Sequence, residues 1–173
     1  MTRQILKVPD NLLRQKSEEV VAFDKSLAQM VADLTETLIS QTDPVGLGLS
    51  AVQIGVLKRV FVARIKNRIR HFVNPKILKF SKKEITFLEG CFSVPEFYGH
   101  VIRPAEIDLE AQDKHGKKTQ GHYRGLPTRI IQHEIDHLDG VLFTDHVHAQ
   151  NGKIFKIEKD KKGKEQLVEV AFA

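Results

Sequence analysis

Two histidines four residues apart frame the most chemically informative stretch of the chain, Gln132-His133-Glu134-Ile135-Asp136-His137-Leu138-Asp139-Gly140. On a helix His133 and His137 lie one turn apart on the same face, so both imidazoles can reach one metal ion. Glu134 stands beside them, where it could take a proton from metal-bound water. Such spacing also arises by chance, and the plainer reading is an ordinary helix carrying two histidines. The third ligand decides the chemistry. The extended pattern HExxHxxGxxH finds Gly140 in place but Phe143 where its last histidine should be. A glutamate on a later helix would complete a different site, but Glu158, Glu165 and Glu169 fall in a tail patterned like a β-hairpin. That leaves Cys91, in the segment Glu89-Gly90-Cys91-Phe92-Ser93-Val94-Pro95, read as a loop bracketed by Gly90 and Pro95. A thiolate is a strong ligand for a divalent transition metal, whereas a lone cysteine without such partners usually reads as a small buried hydrophobe.

The elements that must position these groups are legible from hydrophobic spacing. A helix is predicted from near Leu126, with Pro127 in its first turn, to a stop at Gly140. A second is predicted over Asp24 to Gln41, where Leu27, Met30, Val31, Leu34 and Leu38 form one stripe and Asp24 suits the N-cap. Between them the period shortens. Val60 to Val62, Ile69 to Val73, Ile77 to Phe80 and Glu84 to Phe87 read as strands, with Asn74-Pro75 as a boundary. Glu106 to Gln112 alternates like a half-buried strand, and Asp113-Lys114-His115-Gly116 reads as a turn. Lys153 to Ile157 and Glu165 to Val170 flank a lysine-rich loop. The expected class is α+β: several short, mostly antiparallel strands around a central HExxH helix, plus an N-terminal helix. No linker or repeat divides the chain, so residues 1–173 are expected to form one catalytic domain with a C-terminal β-hairpin at 152–171.

Composition narrows the function classes. The chain has 173 residues, 41% hydrophobic and 28% charged, with a mean hydropathy of -0.27, an ordinary globular balance rather than a disordered one. A chain of this length buries roughly 70% of its unfolded surface and needs no staples. No stretch reaches the roughly 18 apolar residues that a membrane span requires. The first fifteen residues contain no apolar run of the export type, and one cysteine makes no internal disulfide. The formal charge is +5 and the pI near 9.3, compatible with work near a polyanion and also ordinary for a small domain.

Three motifs together resemble the peptide deformylases: GxGLAAxQ at Gly46 to Gln53, EGCxS at Glu89 to Ser93 and QHExDH at Gln132 to His137, in the family's order. The opening Ile5-Leu6-Lys7-Val8-Pro9-Asp10 is similar to the family's N-terminal segment, and the resemblance covers roughly residues 3 to 148. It implies that Cys91, His133 and His137 bind one divalent metal, leaving a fourth position to water. It implies Glu134 as base and then acid, and Gln53 with the Phe92 backbone N–H as donors to the oxygen that becomes negative. Donors of that type are each worth about 3 kcal/mol of transition-state stabilisation. The reaction implied is hydrolysis of the formyl group from the N-terminal formylmethionine of nascent peptides, releasing formate. Gly46, Leu47, Gly48, Glu89 and Gly90 are the expected substrate-binding residues, and Arg103 is expected to pair with Glu89 and support the cysteine segment.

The implied cofactor is iron(II), with zinc, nickel or cobalt as alternatives in purified protein. Nascent formylmethionyl peptides are the expected partners, with the ribosome as a further candidate and no membrane or sequence-specific nucleic acid. The expected compartment is bacterial cytoplasm, with an organellar matrix as the alternative for a processed form. Ser50, Phe92 and Tyr98 depart from the family's usual alanine, leucine and arginine, and Ser50 adds a hydroxyl near the site. The lysine-rich tail is unlike the long C-terminal helix of several bacterial members. Two other functions share parts of this pattern: a general metallopeptidase, which must admit chain on both sides of the scissile bond, and an inactive metal-bound peptide-binding homologue. Intact Glu134 and Gln53 argue against the latter.

Overall fold

A computed structural model describes residues 1–171 as three α-helices and nine strands, all paired antiparallel within two sheets. The first sheet has the order β1 (Gly48–Ser50), β2 (Val60–Ile65), β3 (Arg68–Phe80), β6 (Glu106–Gln112) and β7 (Lys118–Arg124). The second runs β4 (Glu84–Cys91), β5 (Val94–Pro104), β8 (Ile154–Lys159) and β9 (Glu165–Val170).

Helix α1 (Lys25–Ser40) starts where Asp24 accepts hydrogen bonds from the Ser26 and Leu27 amides, satisfying two of its free first-turn donors. Its Leu27, Val31, Leu34 and Leu38 stripe packs against Leu49, Val60, Val62 and Val73 of the first sheet. The other face of that sheet receives α2 (Leu126–Leu138) through Ile130, Ile131 and Leu138, packed with Phe61, Phe72, Ile107 and Leu109. Phe61 and Phe72 stack across β2 and β3 with ring centroids 4.7 Å apart. A third core joins α3 (Phe143–Ala149) to the second sheet through Phe143, Val147, Val101 and Ile154.

The α+β class and the antiparallel pairing are those read from the sequence. Three local features differ. Asn74-Pro75 does not end a strand: β3 continues through it as a bulge, with Asn74 at φ 48° and register shifts on both sides of Lys76. The Asn74 side chain holds this bulge by bonding both Val20 backbone groups, at 2.8 and 2.9 Å, and Gln112 at 2.9 Å. Cys91 does not sit in an open loop but ends β4, joined to β5 by the tight turn Phe92-Ser93, with Cys91 opposite Val94. Helix α3 and strands β1 and β5 are not expected from the sequence, and β7 is signalled only by the hairpin turn at Asp113 to Gly116 that precedes it. Lys-Thr-Gln-Gly-His-Tyr-Arg has almost no apolar alternation, because β7 is an edge strand held largely by its backbone ladder to β6.

The end of α2 is set by Gly140 at φ 74°, whose N–H returns to the His137 carbonyl. A Cβ there would lie 2.5 Å from the Arg14 carbonyl oxygen and 2.7 Å from its carbon. Gly140→Ala therefore meets both a left-handed backbone and a backbone wall. It is expected to lower unfolding free energy by about 2 kcal/mol, measured by urea denaturation; an unchanged midpoint would contradict this account of the helix stop.

Candidate metal centre and active site

Three separate elements converge on one point. His133 and His137 project from α2, Cys91 from the end of β4, and Gln53 from the 3-10 turn Ala51–Ile54 that follows β1. The ligand atoms of Cys91, His133 and His137 all lie within 4.8 Å of one another. Cys91 Sγ is 3.2 Å from His137 Nε2, and the two imidazoles meet edge to face at 4.9 Å. The Ser93 backbone N–H and the Gln53 amide also point at Sγ, at 3.4 and 3.6 Å. Burial alone would raise the Cys91 thiol pKa, but His137 and His133 outweigh it and hold the thiol well below its ordinary value. Two nitrogens and one thiolate, with His133 Nδ1 already engaged elsewhere and its Nε2 left over, form a donor set suited to a divalent transition metal.

What orients His133 is Glu89. Its Oε2 takes the His133 Nδ1 hydrogen bond at 2.9 Å and one from Arg103 Nη2 at 3.0 Å. Its Oε1 accepts from Arg103 Nε at 2.7 Å and Arg129 Nη1 at 2.9 Å. Glu89, Arg103 and Arg129 are all buried, so this is an internal cluster rather than a surface ion pair. Burial opposes ionisation of Glu89, yet the hydrogen bonds and charges of His133 and Arg103 hold its carboxyl far below the usual range. Arg129 also donates to the Ile85 and Val101 carbonyls, fastening the β4–β5 hairpin to α2. Arg103 reaches on to Asp136 at 2.6 Å, and Asp136 takes His146 at 2.8 Å.

Glu134 is buried beside the ligands, and that burial pushes its carboxyl above the ordinary value despite the opposing histidines and a hydrogen bond from Ser50. The Gln53 side chain is fixed at both ends. Its oxygen accepts from the Ser50 N–H at 2.9 Å, and its nitrogen donates to Ser93 Oγ at 3.0 Å. A cavity of about 460 Å³ opens over these groups, lined by Leu47, Gly48, Gln53, Glu89, Gly90, Cys91, Phe92, His133 and Glu134. Val45, Phe87 and Leu126 are exposed apolar residues on its wall. The cavity is bordered by β1 through Gly48 and by β4 through Phe87 to Cys91, each the outer strand of its sheet.

The residues picked from sequence are thus brought to one place, with distinctions. Gly46 does not line the cavity; a Cβ there would meet Leu38 Cδ1 at 2.6 Å, so α1 packing requires the glycine. Glu89 borders the cavity, but both its oxygens are engaged behind His133. Sequence reasoning assigned no role to Arg129, Ser93, Asp136 or His146. Arg129 carried a usable signal, since it precedes His133 by one helical turn and therefore shares its face.

The chain matches the polypeptide deformylase family over residues 2–153, ending just before β8. It is 38% identical over 174 residues to a peptide deformylase of Rhizorhabdus wittichii, covering 94% of this chain and 97% of that one. It is 42% identical over 150 residues to one from Phenylobacterium zucineum, covering 84% and 87%. Among solved structures, the peptide deformylase of Legionella pneumophila superposes with a TM-score of 0.79 at 39% identity, covering 84% of this chain and 86% of that one. That of Thermotoga maritima gives 0.80 at 32% identity, covering 84% and 97%.

Replacing Glu89 with alanine strips two buried guanidinium groups and His133 of their shared acceptor. Glu89→Ala is expected to cost about 3–5 kcal/mol of stability, read by urea denaturation. Metal affinity should weaken about 10- to 100-fold, read by chelator competition. Wild-type values for both would show that the cluster positions nothing.

Proposed function

The chain belongs to the polypeptide deformylase family, metal-dependent hydrolases that remove the N-terminal formyl group from formylmethionyl peptides, and we propose that Cys91, His133 and His137 hold its metal while Glu134 moves the proton. The observation that carries this reading is the convergence of those three donors beside a buried carboxylate, at a cleft between two sheet edges. When bound, a divalent metal supplies a Lewis acid that polarises the formyl oxygen and makes water acidic enough to be deprotonated near neutral pH. The Glu134 carboxylate accepts that proton and delivers it to the leaving nitrogen, so one group serves both halves of the hydrolysis. Gln53, its amide held by Ser50 and Ser93, presents an N–H to the oxygen that becomes negative, together with the Phe92 backbone N–H. The peptide lies along Leu47-Gly48 on one side and Glu89-Gly90 on the other as an added strand, with its methionine side chain against the apolar wall.

We further infer iron(II) as the working ion, on the strength of the family resemblance, since the thiolate and two imidazoles also suit zinc, nickel or cobalt. Residues 1–173 act as one catalytic domain, in which β8 and β9 extend the sheet begun by the cysteine hairpin. Among the described residues no helix is long and apolar enough to cross a membrane. The relatives named above from Rhizorhabdus and Phenylobacterium are bacterial proteins, which supports bacterial cytoplasm as the compartment, with nascent chains on the ribosome as the substrate source.

Two measurements test this reading. Glu134→Ala should lower kcat for formyl-Met-Ala-Ser by about 10²- to 10⁴-fold with KM nearly unchanged, followed by formate release; a wild-type rate would refute the base assignment. Chelation should abolish turnover, and iron(II) added without oxygen should restore more of it than zinc. Peroxide should then inactivate the iron form through Cys91; equal restoration by zinc and resistance to peroxide would exclude iron as the working ion.

A further inference from the structure

We propose that Ser50 is a positioning residue for Glu134: its hydroxyl grips carboxylate oxygen Oε2 and leaves Oε1 as the oxygen that receives the proton. This rests on the reading of Glu134 as the proton acceptor. Ser50 is fully buried at the end of β1, and its Oγ lies 2.7 Å from Glu134 Oε2 and 2.9 Å from the Glu134 carbonyl oxygen. A hydroxyl has one proton to give, and an ionised carboxylate accepts it more strongly than a neutral carbonyl does. Oε2 is therefore committed to a donor on its buried side.

The other oxygen has different surroundings. Gly48 is two residues before Ser50 on the same strand, so both face α2 from one side of β1. Of the heavy atoms around the point where a Gly48 Cβ would stand, Glu134 Oε1 is the nearest, and Glu134 Cδ is next at 2.8 Å. Gly48 and Glu134 line the cavity, whereas Ser50 does not. The strand thus treats the two oxygens unequally: the serine holds Oε2 from behind, and the missing side chain of Gly48 leaves room for Oε1 at the cleft. As an O–H bond of water breaks, one forms at Oε1. The same proton then passes to the leaving nitrogen and the carboxylate is regenerated, with no other reagent consumed.

The Ser50 backbone N–H separately orients Gln53, so a side-chain substitution removes the grip on Glu134 without removing that bond. The experiment compares Ser50→Ala, Ser50→Thr and Glu134→Ala as metal-loaded enzymes on formyl-Met-Ala-Ser, with metal content and thermal midpoint recorded for each. Ser50→Ala should lower kcat about tenfold, part of what general acid–base catalysis contributes, with KM within about twofold and metal content unchanged. Ser50→Thr, which keeps the hydroxyl, should recover kcat to within about threefold of wild type. A wild-type kcat in Ser50→Ala beside an inactive Glu134→Ala would overturn the proposal and spare the base assignment. So would a folded Ser50→Thr without recovery, or a Ser50→Ala whose kcat, KM and metal content fall together with its thermal midpoint. An active Glu134→Ala would instead remove the reading on which the proposal rests.

Discussion

The buried Glu89 carboxylate is the joint on which the rest of the molecule depends. The second sheet and helix α2 meet there through charged and polar groups. Arg103 comes from β5 and Arg129 from α2, while Glu89 itself ends the part of β4 that leads to Cys91. An isolated buried charge costs several kcal/mol, and the cluster is tolerable because both carboxylate oxygens and both guanidinium groups are hydrogen-bonded. The arginines supply three hydrogen bonds to the carboxylate, His133 supplies the fourth, and three further guanidinium hydrogen bonds go to Asp136 and to two strand carbonyls. Such a cluster contributes little net stability compared with an apolar core of the same volume, but it fixes geometry in a way that apolar packing does not. The thiol is borne by one sheet and the imidazoles by a helix packed on the other, so their relative placement is the quantity that this joint controls.

Two of the four sheet edges face the cleft. An unpaired edge is normally a hazard for aggregation, and the other two edges carry the usual protections: Lys118, His122 and Arg124 on β7, and Glu165 and Glu169 on β9. Part of β5 is also left open where β8 stops pairing at Gly99. There the Gln150 side chain bonds both Ile102 backbone groups, at 2.8 and 2.9 Å, and closes the gap. Among the described residues no side chain covers the edges of β1 and β4 along the cavity in this way. Strand β1 is three residues long and β4 turns back at Phe92-Ser93, so neither offers the long flat edge on which unrelated chains would assemble.

Much of this was legible before the structure, and what was hidden follows a pattern. The HExxH spacing, the apolar stripes of α1 and α2 and the glycine stop at Gly140 are local signals, expressed within one turn or one strand. The α+β class follows from the change of period between them. The bulge at Asn74 was hidden because it is held by Val20, 54 residues away. An asparagine–proline pair carries the same local signal whether the chain turns or bends within a sheet. Cys91 was misread as a loop residue for a related reason, since a two-residue hairpin turn and a longer loop share the same Gly and Pro punctuation. Helical spacing places Arg129 on the face of His133, but its partner Glu89 lies 40 positions away, and nothing in a solitary histidine names Asp136 as the partner of His146.

Glycine 48 illustrates how a position can carry a meaning different from the one its residue type suggests. From sequence, Gly48 reads as a place where a substrate backbone approaches closely. In the fold, the space its side chain would fill is already taken by Glu134. The two explanations are compatible, because the carboxylate has to reach the cleft across β1 and cannot do so past a Cβ. Strand β1 therefore serves two chemistries on perpendicular axes. Its backbone edge is where the proposed peptide would pair, and its residues at 48 and 50 point off the sheet toward the helix. A strand whose alternate positions are a glycine and a serine can serve both without lengthening, which is why so short an element is able to border an active site.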